Sequence, residues 1–261
     1  MPASKGLTSK LMHIYRKLLD FFGPRGWWPA QDEWEIVVGA VLTQNVAWRN
    51  VEQAISNLRR ADVLDLKKMW QADEEKLAQL ILPTRFYQVK ARKLKTLVNH
   101  LVDRYDGELG RILNRDTGSV RAELLALWGL GPETVDSILL YAGGHPVFVV
   151  DAYTRRIFSR LGLLPADASY DAMQQFFMRH LPLQPQLYNE YHALIVGLGN
   201  RICHNRRPRC NDCPLAVFCR AGSAGEIVAK TGPNNNRNRD IMVGEKSRDS
   251  DNAAATAGTE N

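Results

Sequence analysis

The 261-residue chain contains no hydrophobic run of transmembrane length, and Met1 to Lys10 lacks the charged-then-apolar pattern of a secretory leader. Neither a membrane-spanning helix nor secretion is therefore expected. Cysteine is scarce and unevenly placed: there are four, at positions 203, 210, 213 and 219. With no leader in sight, such a cluster argues against a disulfide framework and for a cytosolic, nucleoid-associated protein. No repeat of fixed period is visible, which excludes solenoids and propellers. Apolar residues make up 45% and charged residues 24%, enough to bury the core of one or two domains. A net charge of +6 is compatible with a polyanionic partner without requiring one.

Helical periodicity is the main signal. Leu11, Ile14, Tyr15, Leu18 and Leu19 share one side of a helix over Leu7 to Phe22, which the breaker Gly23-Pro24-Arg25-Gly26 ends. Trp27-Trp28-Pro29 follows, so one tryptophan is expected to plug the core and one to offer a flat face to a ligand. Trp34 to Arg60 reads as a helical region with Gln44, Asn45 and Trp48 near an internal junction. Ala61 to Leu82 is another helical pattern. From Pro83 to Lys95, aromatics alternate with Arg85, Lys90, Arg92, Lys93 and Lys95; a solvated face and a phosphate-contacting one are equal expectations. Helices over Tyr170 to Leu181 and Tyr188 to Leu198 carry His180 and His192, both read as ordinary core or surface histidines.

The chemistry concentrates between Arg121 and Arg156. Arg121 to Trp128 has helix formers, and Gly129-Leu130-Gly131 makes a turn too tight for side chains at either end. Pro132 then opens a helix with Val135, Ile138, Leu139 and Ala142 on one face. Outward-pointing N–H groups ahead of a helix suit a phosphate, and such a grip reads no base. After the apolar run Pro146 to Val150 comes Asp151, placed either to cap the next helix or to aim a carboxylate at a site, or both. A helix N-terminus favours its ionised form.

GLGPETVDSILLYA followed by VFVVDAYTRR resembles the helix-hairpin-helix and Gly-Pro-Asp segment of the endonuclease III-like DNA glycosylases. The resemblance covers about residues 10 to 221. It implies that Gly129 and Gly131 grip the DNA backbone and that Asp151 assists departure of a damaged base. Bifunctional members carry a lysine two residues after the second hairpin glycine, where this chain has Glu133, so a monofunctional, water-using enzyme is expected. The resemblance also implies a polar residue, Gln44 or Asn45, that fills the gap left by a flipped nucleotide. WWP, LTQN and a nearby aromatic look like the bacterial 3-methyladenine branch, where aromatic rings sandwich the base; here these would be Trp27 or Trp28 with Trp48, while Glu133 either assists the base in that pocket or, the favoured expectation, caps the hairpin helix. A ring carrying positive charge, as in an N3-alkylated purine, suits indole by stacking and cation–π attraction.

The cysteines Cys203, Cys210, Cys213 and Cys219 follow the spacing C-x6-C-x2-C-x5-C. Spacing alone leaves a structural zinc and a [4Fe–4S] cluster open. CHNRRPRCNDCPLAVFC is similar in every gap to the iron–sulfur loop of endonuclease III, which implies the cluster, with Arg206, Arg207 and Arg209 held against DNA. The tail beyond 222, rich in Asn, Ala, Gly and Ser, is expected to be disordered.

The expected architecture is all-α: residues 1–31 and 146–222 form a cluster domain, and 32–145 a six-helix barrel with the hairpin. The expected activity is a monomeric DNA N-glycosylase acting on a flipped alkylated purine in double-stranded DNA. An endonuclease III-type glycosylase/AP lyase for oxidised or mismatched pyrimidines, and a non-catalytic iron–sulfur DNA-binding module, are the competing readings.

Overall fold

Aspartates and a serine set half of the α-helix starts among the described residues. Asp32, Asp65, Asp73, Asp116, Asp151 and Ser169 each accept a hydrogen bond from the backbone N–H three residues on, a cap that contributes about 1 kcal/mol. In the computed structural model, which describes residues 2–219 and 221, these caps open helices in a chain without strands among the described residues. The helices are α1 (Pro2–Phe22), α2 (Glu33–Leu42), α3 (Trp48–Arg60), α4 (Leu66–Gln71), α5 (Glu74–Leu80), α6 (Tyr87–Tyr105), α7 (Leu109–Leu113), α8 (Thr117–Leu125) and α9 (Pro132–Ser137). A π turn, Ile138–Ala142, follows α9 directly, and then come α10 (Ala152–Arg160), α11 (Tyr170–His180) and α12 (Pro185–Arg201).

The region Trp34 to Arg60 is two helices, and the junction expected near Gln44, Asn45 and Trp48 falls where Asn45 takes a left-handed φ of 54°. Other elements differ from the sequence reading. Ala61 to Leu82 also splits, because Asp65 and Asp73 each start a short helix of their own. The helix before the hairpin begins at Thr117, capped by Asp116, and ends at Leu125 rather than Trp128. The tail expected to be disordered lies outside the described residues.

Buried apolar residues gather in two cores. One runs from Trp34 to Val147 and is built by α2 to α9; the other joins Leu11, Ile14 and Leu18 of α1 to residues between Leu140 and Leu215. The π turn crosses from one to the other. Ile138 and Leu139 enter the first core, Leu140 and Tyr141 the second, so the widened turn reorients successive side chains. Asp136 ties the two sides together. It is fully buried, takes Arg121 Nε at 2.7 Å, and accepts from Tyr170 Oη at 2.8 Å and Gln174 Nε2 at 2.7 Å.

The basic stretch before and within α6 is neither a solvated face nor a free phosphate comb. Lys90 is buried and donates to Leu42 O at 2.8 Å and Thr84 O at 2.6 Å. Lys95 donates to the carbonyls of Trp70 and Ala72 at the end of α4. Arg92 lies 4.4 Å from the Trp128 ring centroid.

Candidate active site between the two cores

Asp151 is the N-cap of α10, and its carboxylate is divided between two tasks. Oδ1 accepts from Thr154 N at 2.6 Å and Thr154 Oγ1 at 2.8 Å, while Oδ2 lies 3.6 Å from His192 Nε2 on α12. The side chain is 9% exposed. Burial alone would raise its pKa, but His192 and the Thr154 donors more than offset that, and the carboxyl is held below the ordinary range. The cap and the aimed carboxylate are thus the same side chain.

Glu133, in the first turn of α9, is driven the other way. Protein mass around it and the charge of Asp151 push its carboxyl up to about 8. The side chain is open to solvent even so, which describes a group on the wall of a recess: water reaches it, yet low-dielectric protein lies on most sides. Access to water tempers the size of the shift and leaves its direction upward.

The hairpin needs only one of its glycines. Gly129 has φ +85°, and a Cβ there would lie 2.5 Å from Lys93 Cγ. Gly131 has an ordinary φ of −93° as the α9 N-cap, and a Cβ there would meet nothing within 4 Å. The expectation that both ends exclude side chains is corrected accordingly: Gly129 is required by conformation and by Lys93, whereas Gly131 leaves open space before the helix.

Gln44 and Asn45 are separated by their surroundings. Gln44 Nε2 donates to Thr134 Oγ1 at 2.7 Å, and its Oε1 accepts from Lys93 Nζ. Asn45 is exposed. Lys93 therefore lies over the hairpin and ends on Gln44, and burial lowers its amine from the usual value.

The three tryptophans come together, but not as parallel plates. Ring centroids of Trp27 and Trp28 are 4.9 Å apart, Trp27 and Trp48 4.8 Å, and Trp28 and Trp48 5.3 Å, with Trp48 edge-on to both partners. A base sandwiched between two rings needs them parallel and about 7 Å apart, twice a van der Waals contact. Trp28 also packs on Gly39 of α2, where a Cβ would be 3.0 Å from its Cζ2, and its ring centroid is 5.3 Å from that of Tyr141. Trp27 and Trp28 touch both cores, whereas Trp48 is buried in the first.

The four cysteines form no disulfide, and no three His, Cys, Asp or Glu side chains converge on a single-ion cage among the described residues. Burial, then the charges of the other three cysteines, push the Cys213 thiol up to about 11. Ionising all four would therefore require a strongly positive centre among them, as iron in a cluster supplies. Arg160 closes the loop, donating to Cys203 Sγ at 3.2 Å, His204 O at 2.8 Å and Asn205 O at 2.7 Å. Arg206 and Arg207 are exposed, and Arg209 pairs with Asp212 at 2.7 Å.

Sequence reasoning missed His192, Tyr141, Lys93 and Phe86. A histidine on an apolar helix face gives no signal beyond its spacing. Phe86 did carry one in part, since an aromatic just before an amphipathic helix stands out. It is 70% exposed, with a left-handed φ of 44°, on the loop that Lys90 ties to the end of α2.

A paired-helix hairpin, an aspartate at the mouth of the next helix and a terminal four-cysteine loop define the class of helix-hairpin-helix base-excision enzymes. Residues 38–183 match the HhH-GPD superfamily of base excision DNA repair proteins, and the chain belongs to it. A protein of Methanocaldococcus jannaschii described as a DNA repair glycosylase is 47% identical over 208 residues, 79% of this chain and 94% of its own length. The 3-methyladenine DNA glycosylase of Helicobacter pylori, solved with 1,N6-ethenoadenine, superposes with TM-score 0.64 at 30% identity, covering 75% of this chain and 96% of that one. Endonuclease III in a trapped covalent complex with DNA shares the fold, with TM-score 0.73 at 24% identity over 84% of this chain and 98% of that one. The protein is a base excision repair DNA N-glycosylase, and DNA is its substrate. No helix among the described residues is long and apolar enough to cross a membrane.

Proposed function

We propose that the protein is a monofunctional glycosylase that hydrolyses the N-glycosidic bond of a flipped alkylated purine. The observation that carries this reading is the pair of carboxyls driven apart: Asp151 held ionised, Glu133 pushed up to about 8. Environments that separate two titratable groups assign their roles. The Asp151 carboxylate stabilises the oxocarbenium-like charge that develops on the sugar as the C1′–N bond breaks, orients water for attack at C1′ and accepts that water's proton as the C1′–O bond forms. Glu133 retains a proton near neutral pH and donates a hydrogen bond or that proton to the departing base. A base that is already cationic leaves without it.

Trp27, Trp28 and Trp48 form the base pocket in this reading, opening to admit the flipped base between them. Their electron-rich faces favour an alkylated, positively charged purine. Gly129, Gly131 and the exposed Arg206 and Arg207 hold the phosphate backbone, with Arg209 joining them if it leaves Asp212. Gln44 or Asn45, together with Phe86, fills the gap in the duplex as the nucleotide leaves it. Cys203, Cys210, Cys213 and Cys219 hold a [4Fe–4S] cluster. Their thiols lie close enough to raise one another's pKa, so four ligands share one loop. The group organises the loop and takes no part in bond cleavage, since four cysteines leave no open position. The working form is a monomer.

One observation favours a second reading. Lys93 places an amine of lowered pKa on Gln44 beside the hairpin, where a glycosylase/AP lyase for oxidised or mismatched pyrimidines would need a nucleophile. Incubation with duplexes bearing single lesions separates the two. Free 3-methyladenine with intact strands supports the hydrolytic reading; nicked strands trapped to protein by borohydride, lost in Lys93→Ala, support the second. The non-catalytic module predicts neither product.

A further inference from the structure

His192 has so far appeared only as a neighbour of Asp151, and its other contacts define its setting. It lies on α12, 2% exposed, among the residues of the second core. Its Nδ1 meets Tyr141 Oη at 2.5 Å. Its buried Nε2 makes no hydrogen bond, and it lies 3.6 Å from Asp151 Oδ2. Tyr141 comes from the π turn, and its ring packs on Trp28. A continuous chain of contacts therefore runs from an aromatic ring at the pocket, through Tyr141 and His192, to the oxygen of Asp151 that Thr154 leaves unoccupied.

We propose that His192 is a positioning residue: oriented by Tyr141, it directs its Nε2 proton at Asp151 Oδ2 and fixes both the direction and the ionised state of that carboxylate. The proposal requires one tautomer: with Tyr141 donating to Nδ1, the ring carries its hydrogen on Nε2, facing the carboxylate. The gap of 3.6 Å exceeds a hydrogen bond, and such contacts in unliganded sites shorten when substrate excludes water. The charged and titratable groups around the pair are few. Asp151 faces His192 from the start of α10, Tyr141 from the π turn; the Asp151 charge acts on Glu133 of α9 and on Tyr141, and Glu190 of α12 acts on Tyr141. Burial opposes ionisation of Asp151, and the imidazole, together with Thr154, offsets it.

The inference rests on the reading of Asp151 as the catalytic carboxylate, and its test has one arm that does not depend on activity. The Asp151 carboxyl is titrated by 13C NMR in the full-length holoprotein, assigned by its loss in Asp151→Asn, for wild type, His192→Leu, His192→Gln and Tyr141→Phe. The carboxyl should titrate about one pH unit higher in His192→Leu, roughly tenfold in its ionisation constant. His192→Gln, which keeps a donor, should restore most of the wild-type value, and Tyr141→Phe should fall between. In single-turnover base release, the rate should fall in the same order with duplex affinity unchanged. An unmoved titration in folded His192→Leu, or His192→Gln no better than His192→Leu, overturns the proposal. If His192→Leu does not fold, the comparison of Tyr141→Phe and His192→Gln with wild type decides it. Should wild type release no base from any lesion, the reading of the site fails while the titration still decides the role of His192.

Discussion

The charge of Asp151 acts on Glu133 through space, and the two carboxyls are driven in opposite directions: Glu133 upward to about 8, Asp151 below its ordinary range. The difference comes from donors. Asp151 has Thr154 and His192 to hold its charge, whereas Glu133 has the charge of Asp151 to oppose it.

This relationship sets a pH dependence. With Glu133 protonated below about 8 and Asp151 ionised above its depressed pKa, release of a neutral base should be sustained across the neutral range. It should decline as pH rises through the Glu133 value. Glu133→Gln should remove that alkaline limb, and release of cationic 3-methyladenine should show it weakly in either protein. Rate–pH profiles with a neutral and a cationic lesion check this; an alkaline limb unchanged in Glu133→Gln would assign it elsewhere.

Lys90 predicts a pH dependence of stability. Its folded pKa is lowered to about 7, first by burial and then by Lys93, from an ordinary value of 10.5. Between those values the unfolded chain binds more protons than the folded one, so this residue makes stability rise with pH over that window. Below about 7 both states are protonated and its full penalty is present. In Lys90→Met the rise in Tm from pH 7 to 10 should be flatter than in wild type, as thermal melts would show.

Asp136→Ala should destabilise the fold by about 3–5 kcal/mol, because it leaves Arg121 only the longer contact to exposed Asp171 and strips a partner from Tyr170 and Gln174 in a buried network. Urea unfolding followed by circular dichroism measures it. A loss below about 1 kcal/mol would mean that the two sides are held together by apolar contact alone.

Trp28→Phe keeps an aromatic ring on Gly39 and Tyr141 but weakens the attraction for a cationic base. Excision of 3-methyladenine should fall about fivefold, near 1 kcal/mol, with duplex affinity within twofold. Equal losses in both would count against a stacking pocket.

Iron and sulfide analysis of the purified protein should find about four of each per chain. Cys213→Ala should lose them and unsettle the loop that Arg160 holds. One zinc per chain would replace the cluster with a structural ion.

Much of this was legible in the chain. The glycine turn, the aspartate after an apolar run and the cysteine spacing are local patterns, and local patterns survive in sequence. What did not survive is what folding brings together. His192 lies 41 positions from Asp151 in the chain, and only the packing of α12 on α10 makes them neighbours. Gln44 and Asn45 looked alike until the partners Thr134 and Lys93 distinguished them. The basic run at Arg85 to Lys95 left a solvated face and a phosphate-contacting one equally open, because the carbonyls that Lys90 and Lys95 serve lie elsewhere in the chain. The edge-on tryptophans show the same limit, since composition fixes that rings are present and not how they tilt.

The central claim is that the Asp151 carboxylate carries the chemistry. The direct measurement is single-turnover release of 3-methyladenine by wild type and Asp151→Asn, with duplex affinity measured alongside. Asparagine keeps an oxygen for the helix cap and removes the charge. Release should fall roughly a hundredfold to ten-thousandfold while affinity holds. Release at the wild-type rate from a folded, DNA-binding Asp151→Asn would contradict the account.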